Sequence, residues 1–162
     1  MITIRRFDPE DQQSVVSLIT QIMQEEFWDD RVAYPTQDIA NIPTSYSGIG
    51  EAFFVAVRGD RIVGTVAIKK EDGRIALLRR LFVAKDCRNQ QIGVKLVDRA
   101  LHFCDELGYE EVVFKTTSKM QAAAKTCQKK GFIQRAKIQL GNIELLKYVV
   151  CLRNGHKIST KR

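Results

Sequence analysis

The chain has 162 residues, 44% of them apolar and 28% charged, with a formal net charge of +7. That length and apolar content exclude a disordered chain and suit one domain with a sizeable core, and no stretch approaches the ~18–20 apolar residues of a membrane-spanning helix. The charge is uneven: residues 1–51 hold 3 Lys/Arg against 9 Asp/Glu, whereas the remaining 111 residues hold 23 against 10.

Ile2, Ile4 and Phe7 suggest a first strand. Asp8-Pro9-Glu10-Asp11 then starts a helix, because Asp8 can cap, Pro9 suits the first turn and the acids favour the positive end of the helix dipole. Val15, Leu18, Ile19, Ile22 and Met23 make one apolar stripe along it. Between Phe27 and Gly50 the periodicity weakens under Pro35, Pro43, Ser45, Ser47, Gly48 and Gly50, leaving a short second helix expected around Gln37 to Ile42. Irregular stretches of this length carry binding more often than packing.

Phe53, Val55 and Val57 alternate, Gly59-Asp60 turns, Ile62 to Ile68 follows, and Glu71-Asp72-Gly73 turns again into Ile75 to Val83. Those signals describe an antiparallel meander. Beyond a polar loop, Leu96, Val97, Ala100, Leu101, Cys104 and Leu107 recur at helical spacing until Gly108 stops the run. Val112 to Thr116 is reached only through that helix and should lie parallel to its predecessor. Met120 to Lys130 reads as a helix with Ala123, Ala124 and Cys127 facing inward, and Ile133–Leu140 and Ile143–Leu152 alternate around Gly141-Asn142 as a hairpin. The fold class expected is α+β in three layers: a mixed, mostly antiparallel seven-stranded sheet with helices on both faces. Residues 1–153 would form one domain, and 154–162 a basic, frayed tail.

Cys87, Cys104, Cys127 and Cys151 show no C-x-x-C spacing, and His102 and His156 fit no metal pattern beside them, so reduced cysteines, two of them in the core, and no metal site are expected. The N-terminus MITIRRFDPEDQQ has no apolar signal core, which makes cytoplasmic residence the expectation. A basic balance invites nucleic acid, but the cations are scattered and do not interleave with aromatics, which argues against it.

The segment Arg88-Asn89-Gln90-Gln91-Ile92-Gly93 joins the strand ending at Val83 to the amphipathic helix. A loop feeding a helix N-terminus presents unpaired N–H groups and about half a positive charge, an arrangement suited to a pyrophosphate. Gly93 can serve where a Cβ would collide with the phosphate. Backbone N–H groups from Gln90 to Val94 can face the anion, and the side chains of Arg88 and Lys95 add charge.

The same segment resembles the cofactor motif R/Q-x-x-G-x-G/A of the GNAT N-acetyltransferases, with Gln91 standing where the first glycine is usual. Leu81-Phe82-Val83 resembles the family's strand that pairs with the pantetheine arm of acetyl-CoA, and Lys130-Gly131-Phe132 resembles its late G-F. The resemblance implies that acetyl-CoA is the cosubstrate, with Leu81, Phe82, Val83 and Arg88 to Lys95 (Arg88, Asn89, Gln90, Gln91, Ile92, Gly93, Val94, Lys95) as its binding residues. It implies transfer to a primary amine of a small molecule, amino acid or peptide, by direct attack in a ternary complex. Two neighbouring parallel strands would splay beside the loop, and homodimers are common in the superfamily.

Proton handling departs from the family's pattern. Many members carry a glutamate on the strand before the loop, where this chain has Arg79-Arg80, and a tyrosine four residues before the late glycine, where it has Cys127. Candidates for the missing roles are Glu144 as base and Tyr148 or Cys127 as acid. Glu25, Glu26, Asp29 and Asp30 are further carboxylates and would rim the acceptor site and attract a cationic amine, while Trp28, Tyr34 and Tyr46 are candidates to line it. A lysine-type amine with pKa about 10.4 loses about 4 kcal/mol to protonation near neutral pH, against about 1 kcal/mol for an α-amine near 7.7–8.0, so a site without a strong base suits a low-pKa amine. The same gaps motivate the alternative of a catalytically weak or inactive GNAT-like module that senses acyl-CoA.

Overall fold

A computed structural model describes residues 1–152; the expected tail at 154–162 lies outside the described residues. Strand β1 (Ile2–Arg6) leads into a capped 3-10 turn, Pro9–Asp11. There the Asp8 carboxylate accepts from Glu10 N at 3.0 Å and Asp8 N donates to the Asp11 carboxylate at 2.8 Å, which satisfies N–H groups that a helix start leaves unpaired. Helix α1 (Gln12–Glu26) buries Val15, Ile19, Ile22 and Met23.

The segment after α1 is more structured than its sequence pattern suggests. A 3-10 turn at Trp28–Ala33 precedes α2 (Gln37–Ala40) and α3 (Ile42–Ser45). These replace the one short helix expected around 37–42. Asn41 breaks it, with extended backbone and a side chain that caps α3 by accepting from Thr44 N, just ahead of Pro43.

Strands β2 (Ala52–Arg58), β3 (Arg61–Lys70) and β4 (Ile75–Val83) form the meander, and α4 (Ile92–Leu107), β5 (Glu111–Thr117), α5 (Gln121–Lys129), β6 (Ile133–Leu140) and β7 (Ile143–Cys151) follow. The seven-stranded sheet has the order β1-β2-β3-β4-β5-β7-β6. Every neighbouring pair is antiparallel except β4 and β5. One core lies between the sheet and α4 and α5, around Phe54, Leu78, Leu96, Val97 and Phe114. The other lies under α1 to α3, around Ile19, Ile39, Ile42, Val55 and Phe82. Cys87, Cys104 and Cys127 are all buried and Cys151 is exposed, so three thiols rather than two are internal; Cys87 joins because the 3-10 turn Lys85–Cys87 tucks it into the first core.

Two irregularities open the middle of the sheet. The parallel pairing of β4 with β5 runs only from Ile75↔Glu111 to Leu78↔Phe114, although both strands continue. On its other edge β4 carries a bulge: Ala67 pairs with Arg79 but Thr65 with Phe82, so Arg80 and Leu81 have no register partner on β3. Arg80 takes φ +55 there, and Thr65 Oγ1 donates to its carbonyl at 2.7 Å.

Candidate active site

The expected splay is present, and two cavities flank it. The larger, of about 670 Å³, runs from the end of β4 along the start of α4 to α5. Leu81, Phe82, Val83, Arg88, Asn89, Gln91, Gly93 and Val94 all line it. Of the other residues singled out from the motif, Gln90 turns outward to accept from Arg58, Ile92 is buried in the core, and Lys95 is exposed outside the groove. Helical geometry explains this: a loop curling into a helix can aim only some of its side chains at one spot.

The loop's backbone has left-handed bends at Asn89 and Gln91. Asn89 and Gln91 take φ +64 and +65, on either side of Gln90, and left-handed residues alternating in this way turn successive N–H groups inward as a nest. Position 91, where the motif usually has glycine, thus sits in the backbone region that glycine favours, and glutamine accepts the strain there. Gly93 does not need an unusual φ. A Cβ on it would meet Thr126 Oγ1 at 3.4 Å and Val83 Cγ2 at 3.8 Å, contacts that the protein tolerates, so what glycine leaves free is groove space.

Arg88 is engaged within the protein. Its two terminal nitrogens donate to the Glu26 carboxylate at 2.5 and 2.8 Å, and its Nε donates to the Val83 carbonyl at 3.1 Å. The cations best placed for phosphates were not singled out from the sequence: Lys125 and Lys129 on α5, with Lys119 just before it. Lys119 stands 3.6 Å from Asp29 and 4.0 Å from Asp30. The signal for the other two is their i, i+4 spacing on the helix whose inner face holds Ala124 and Cys127.

The second cavity, of about 280 Å³, lies on the other side of the splay, between Tyr34 and Pro35, β4 and β5. It shares Leu81, Phe82 and Met120 with the groove, so the two meet at the bulge. Tyr34 accepts from Thr117 N at 3.0 Å and shares a 3.2 Å hydrogen bond with Thr116 Oγ1. Burial raises its phenol pKa above the ordinary value, and the hydrogen bonds offset this in part. Of the other aromatic candidates, Trp28 is half exposed under Arg31 and Tyr46 is buried in the second core.

The irregular segment is tied to β4 by a buried ion pair. Arg80 donates to both oxygens of Asp38 and to the Pro35 carbonyl, and Tyr46 donates to Asp38 at 2.5 Å. Burial alone would raise the Asp38 pKa. The hydrogen bonds from Arg80 and Tyr46 and the charges of Arg80 and Arg79 outweigh it and hold the carboxyl below its usual range. Arg80 is thus a staple for the wall of the second cavity.

The three proton-handling candidates lie away from both cavities. Cys127 is fully buried in the core under α4 and α5, where burial pushes its thiol pKa up to about 12. Residues 144, 146 and 148 share one face of β7, and Leu146 and Tyr148 pack on that same core, with Tyr148 beside Phe114. Glu144, on that face at the strand's start, stands 3.5 Å from Lys137. Neither Glu144 nor Tyr148 lines either cavity, although Phe114, which shares the face of Tyr148, lines the second.

The family comparison agrees with this architecture. The profile of the Acetyltransferase (GNAT) family matches residues 19–132. The chain belongs to the GNAT acetyltransferase family. It is 34% identical over 100 residues to the probable N-acetyltransferase camello of Xenopus laevis, covering 59% of this chain and 45% of that protein; the chain spans about half the length of the relatives it matches. A GNAT-family acetyltransferase from Staphylococcus aureus superposes with a TM-score of 0.80 at 25% identity, covering 93% of this chain and 99% of that one. A Salmonella typhimurium protein solved with its cofactor acetyl-CoA superposes with a TM-score of 0.75 at 17% identity, covering 93% of each chain, and shares the fold. No helix among the described residues is long and apolar enough to cross a membrane.

Proposed function

We propose that this GNAT chain is an acetyl-CoA-dependent N-acetyltransferase that binds its cosubstrate in the larger groove and a primary amine in the smaller cavity. The observation that carries the reading is the meeting of the two cavities at Leu81, Phe82 and Met120, beside the bulge where Arg80 and Leu81 have no register partner on β3. The residues present fit the cofactor: the nest at Asn89–Gln91 and the lysines of α5 suit phosphates, and the free edge of β4 suits the amides of a pantetheine arm.

Acetyl-CoA supplies an acetyl group activated as a thioester. In the net reaction a C–N bond forms, the C–S bond breaks, and the proton lost by the amine matches the one gained by the thiol. The protein's part is to hold both reactants at the junction, where proximity is worth several kcal/mol, and to offer main-chain N–H at the Arg80–Leu81 bulge to the developing oxyanion. No carboxylate lines the second cavity among the described residues, so the amine must arrive neutral or lose its proton to water, which favours acceptors of low pKa. We assign proton donation to the leaving sulfur to Tyr34, the phenol that lines that cavity; Glu144, Tyr148 and Cys127 are set aside because of their positions. Cytoplasmic residence remains part of the proposal, supported by the four free thiols.

Thiol release from acetyl-CoA across an amine panel tests the reading. Release that requires an amine supports it. Tight acetyl-CoA binding with no release from any amine would favour the sensing module, which the lack of a carboxylate in the second cavity also suits.

A further inference from the structure

The second cavity is cationic, the opposite of what the acidic N-terminal third suggests. Its charged lining residues are Arg79, Arg80 and Lys115. The register extends the pattern. Leu78 pairs with Phe114 on β4 and β5, one residue before Arg79 and Lys115, and Lys115 pairs directly with Lys147 on β7. Arg79, Lys115 and Lys147 therefore follow one another across three adjacent strands, on the face opposite Phe114 and Tyr148.

Like charges directly opposite on neighbouring strands, as Lys115 and Lys147 are, destabilise a sheet. Lys115 and Lys147 have no acidic partner among the described residues. Arg79 comes only within 3.9 Å of Asp38, whose carboxylate is already held by Arg80 and Tyr46. Other acids have cations of their own nearby: Glu26 pairs with Arg88 and Glu51 with Lys69, while Asp29 and Asp30 stand 3.6 and 4.0 Å from Lys119. Of the acids expected to draw in a cationic amine, Glu26, Asp29 and Asp30 stand beside cations, and Glu25, which accepts from Gln21, lines neither cavity. Apart from the hydroxyls of Tyr34 and Thr116 the rest of the wall is mostly apolar, with Leu77, Phe82, Val113 and Met120, and the volume suits a small molecule.

We propose that the acceptor is an amino carboxylate, an amino acid or dipeptide whose carboxylate is held by Arg79 and Lys115 while its amine points to the junction at Leu81. Arg79 supplies a planar fork matched to a carboxylate and Lys115 a point charge, and Lys147 adds to the local potential. The inference rests on reading this cavity as the acceptor site.

The test is calorimetric binding to the CoA-loaded full chain of apolar L-amino acids, their Xaa-Gly dipeptides and the carboxamide of each, followed by thiol release with the same panel. Acids should bind at least about tenfold more tightly than amides, a preference lost in Arg79→Gln and Lys115→Gln and weakened by salt. Unchanged melting temperature and acetyl-CoA affinity in these variants would show that they remain folded. Equal binding of acids and amides, or binding of neither, overturns the inference. Thiol release from amides at the rate of acids overturns it while leaving the acetyltransferase reading intact. Preferential binding of acids with no thiol release sustains the anion site and removes the enzyme reading instead.

Discussion

Arg88 and Glu26, both lining the larger groove, form a bidentate ion pair that joins the loop before α4 to the end of α1. The arginine of the cofactor motif therefore meets a carboxylate, and its Nε occupies the carbonyl of Val83, which the family resemblance gives to pantetheine. A bound cofactor must share or displace these contacts, and Glu26 competes with phosphate for the same cation.

Removing that competitor should strengthen cofactor binding. Glu26→Gln is expected to tighten acetyl-CoA by about threefold to tenfold in calorimetry. Because both side chains are partly exposed, the cost in stability should stay near 1 kcal/mol. Weaker binding in this variant would mean that Glu26 orients Arg88 for the cofactor.

The α5 lysines should carry more of the phosphate affinity than Lys95. Lys125→Gln and Lys129→Gln are each expected to weaken acetyl-CoA about fivefold and to reduce the salt dependence of binding, whereas Lys95→Gln should change it less than twofold. Comparison with 3′-dephospho-CoA would identify which lysine meets the 3′-phosphate.

Asp38 makes a stability prediction with a definite pH sign. Its folded pKa lies below the unfolded value of about 3.9, so its contribution is complete above about pH 5 and is lost as pH falls through 4 toward the folded value. Asp38→Asn leaves the Arg80 guanidinium buried without a counter-charge, which should cost about 3–5 kcal/mol near neutral pH. Urea denaturation from pH 3 to pH 7 should show the variant's deficit shrinking at the acid end. A deficit independent of pH would contradict the pairing.

Gln91 offers a test of backbone strain. At φ +65 glycine avoids a cost of about 1 kcal/mol or more, partly offset by its larger unfolded-state entropy. Gln91→Gly should leave the melting temperature unchanged or raise it, while Gln91→Val should lower stability by about 1–2 kcal/mol. A clear loss in the glycine variant would show that the Gln91 side chain makes a contact of its own.

Tyr34→Phe should lower kcat by at least about tenfold while acetyl-CoA binding is preserved. A donor whose pKa is raised by burial must be protonated to act, so any alkaline fall in kcat due to Tyr34 should vanish in the variant. A purely structural role would lower stability, through the lost bond to Thr117 N, without moving the pH profile.

The strands, the long helices and the antiparallel-to-parallel change at β4 and β5 were legible because each rests on local periodicity and turn residues: Asp8, Gly59, Gly108 and Gly141 mark ends that the chain uses. The strand–loop–helix setting of Arg88 to Gly93 was legible for the same reason. What escaped was long-range. Nothing local shows that Arg80 meets Asp38 across 42 residues or that Glu26 meets Arg88 across 62. The face of Tyr148 depends on register with β5, and a one-residue change of register reverses it. The bulge at Arg80 does the same for the wall of the second cavity, because an extra residue in β4 changes which side chains face it.

The most direct test of the central claim is calorimetric titration of the purified chain with acetyl-CoA, with 3′-dephospho-CoA and ATP for comparison. Micromolar binding of acetyl-CoA, weakened when the 3′-phosphate is absent and much weaker for ATP, is the predicted result. No detectable binding of acetyl-CoA would contradict the account, because the nest at Asn89–Gln91 and the free edge of β4 would then not form a cofactor site.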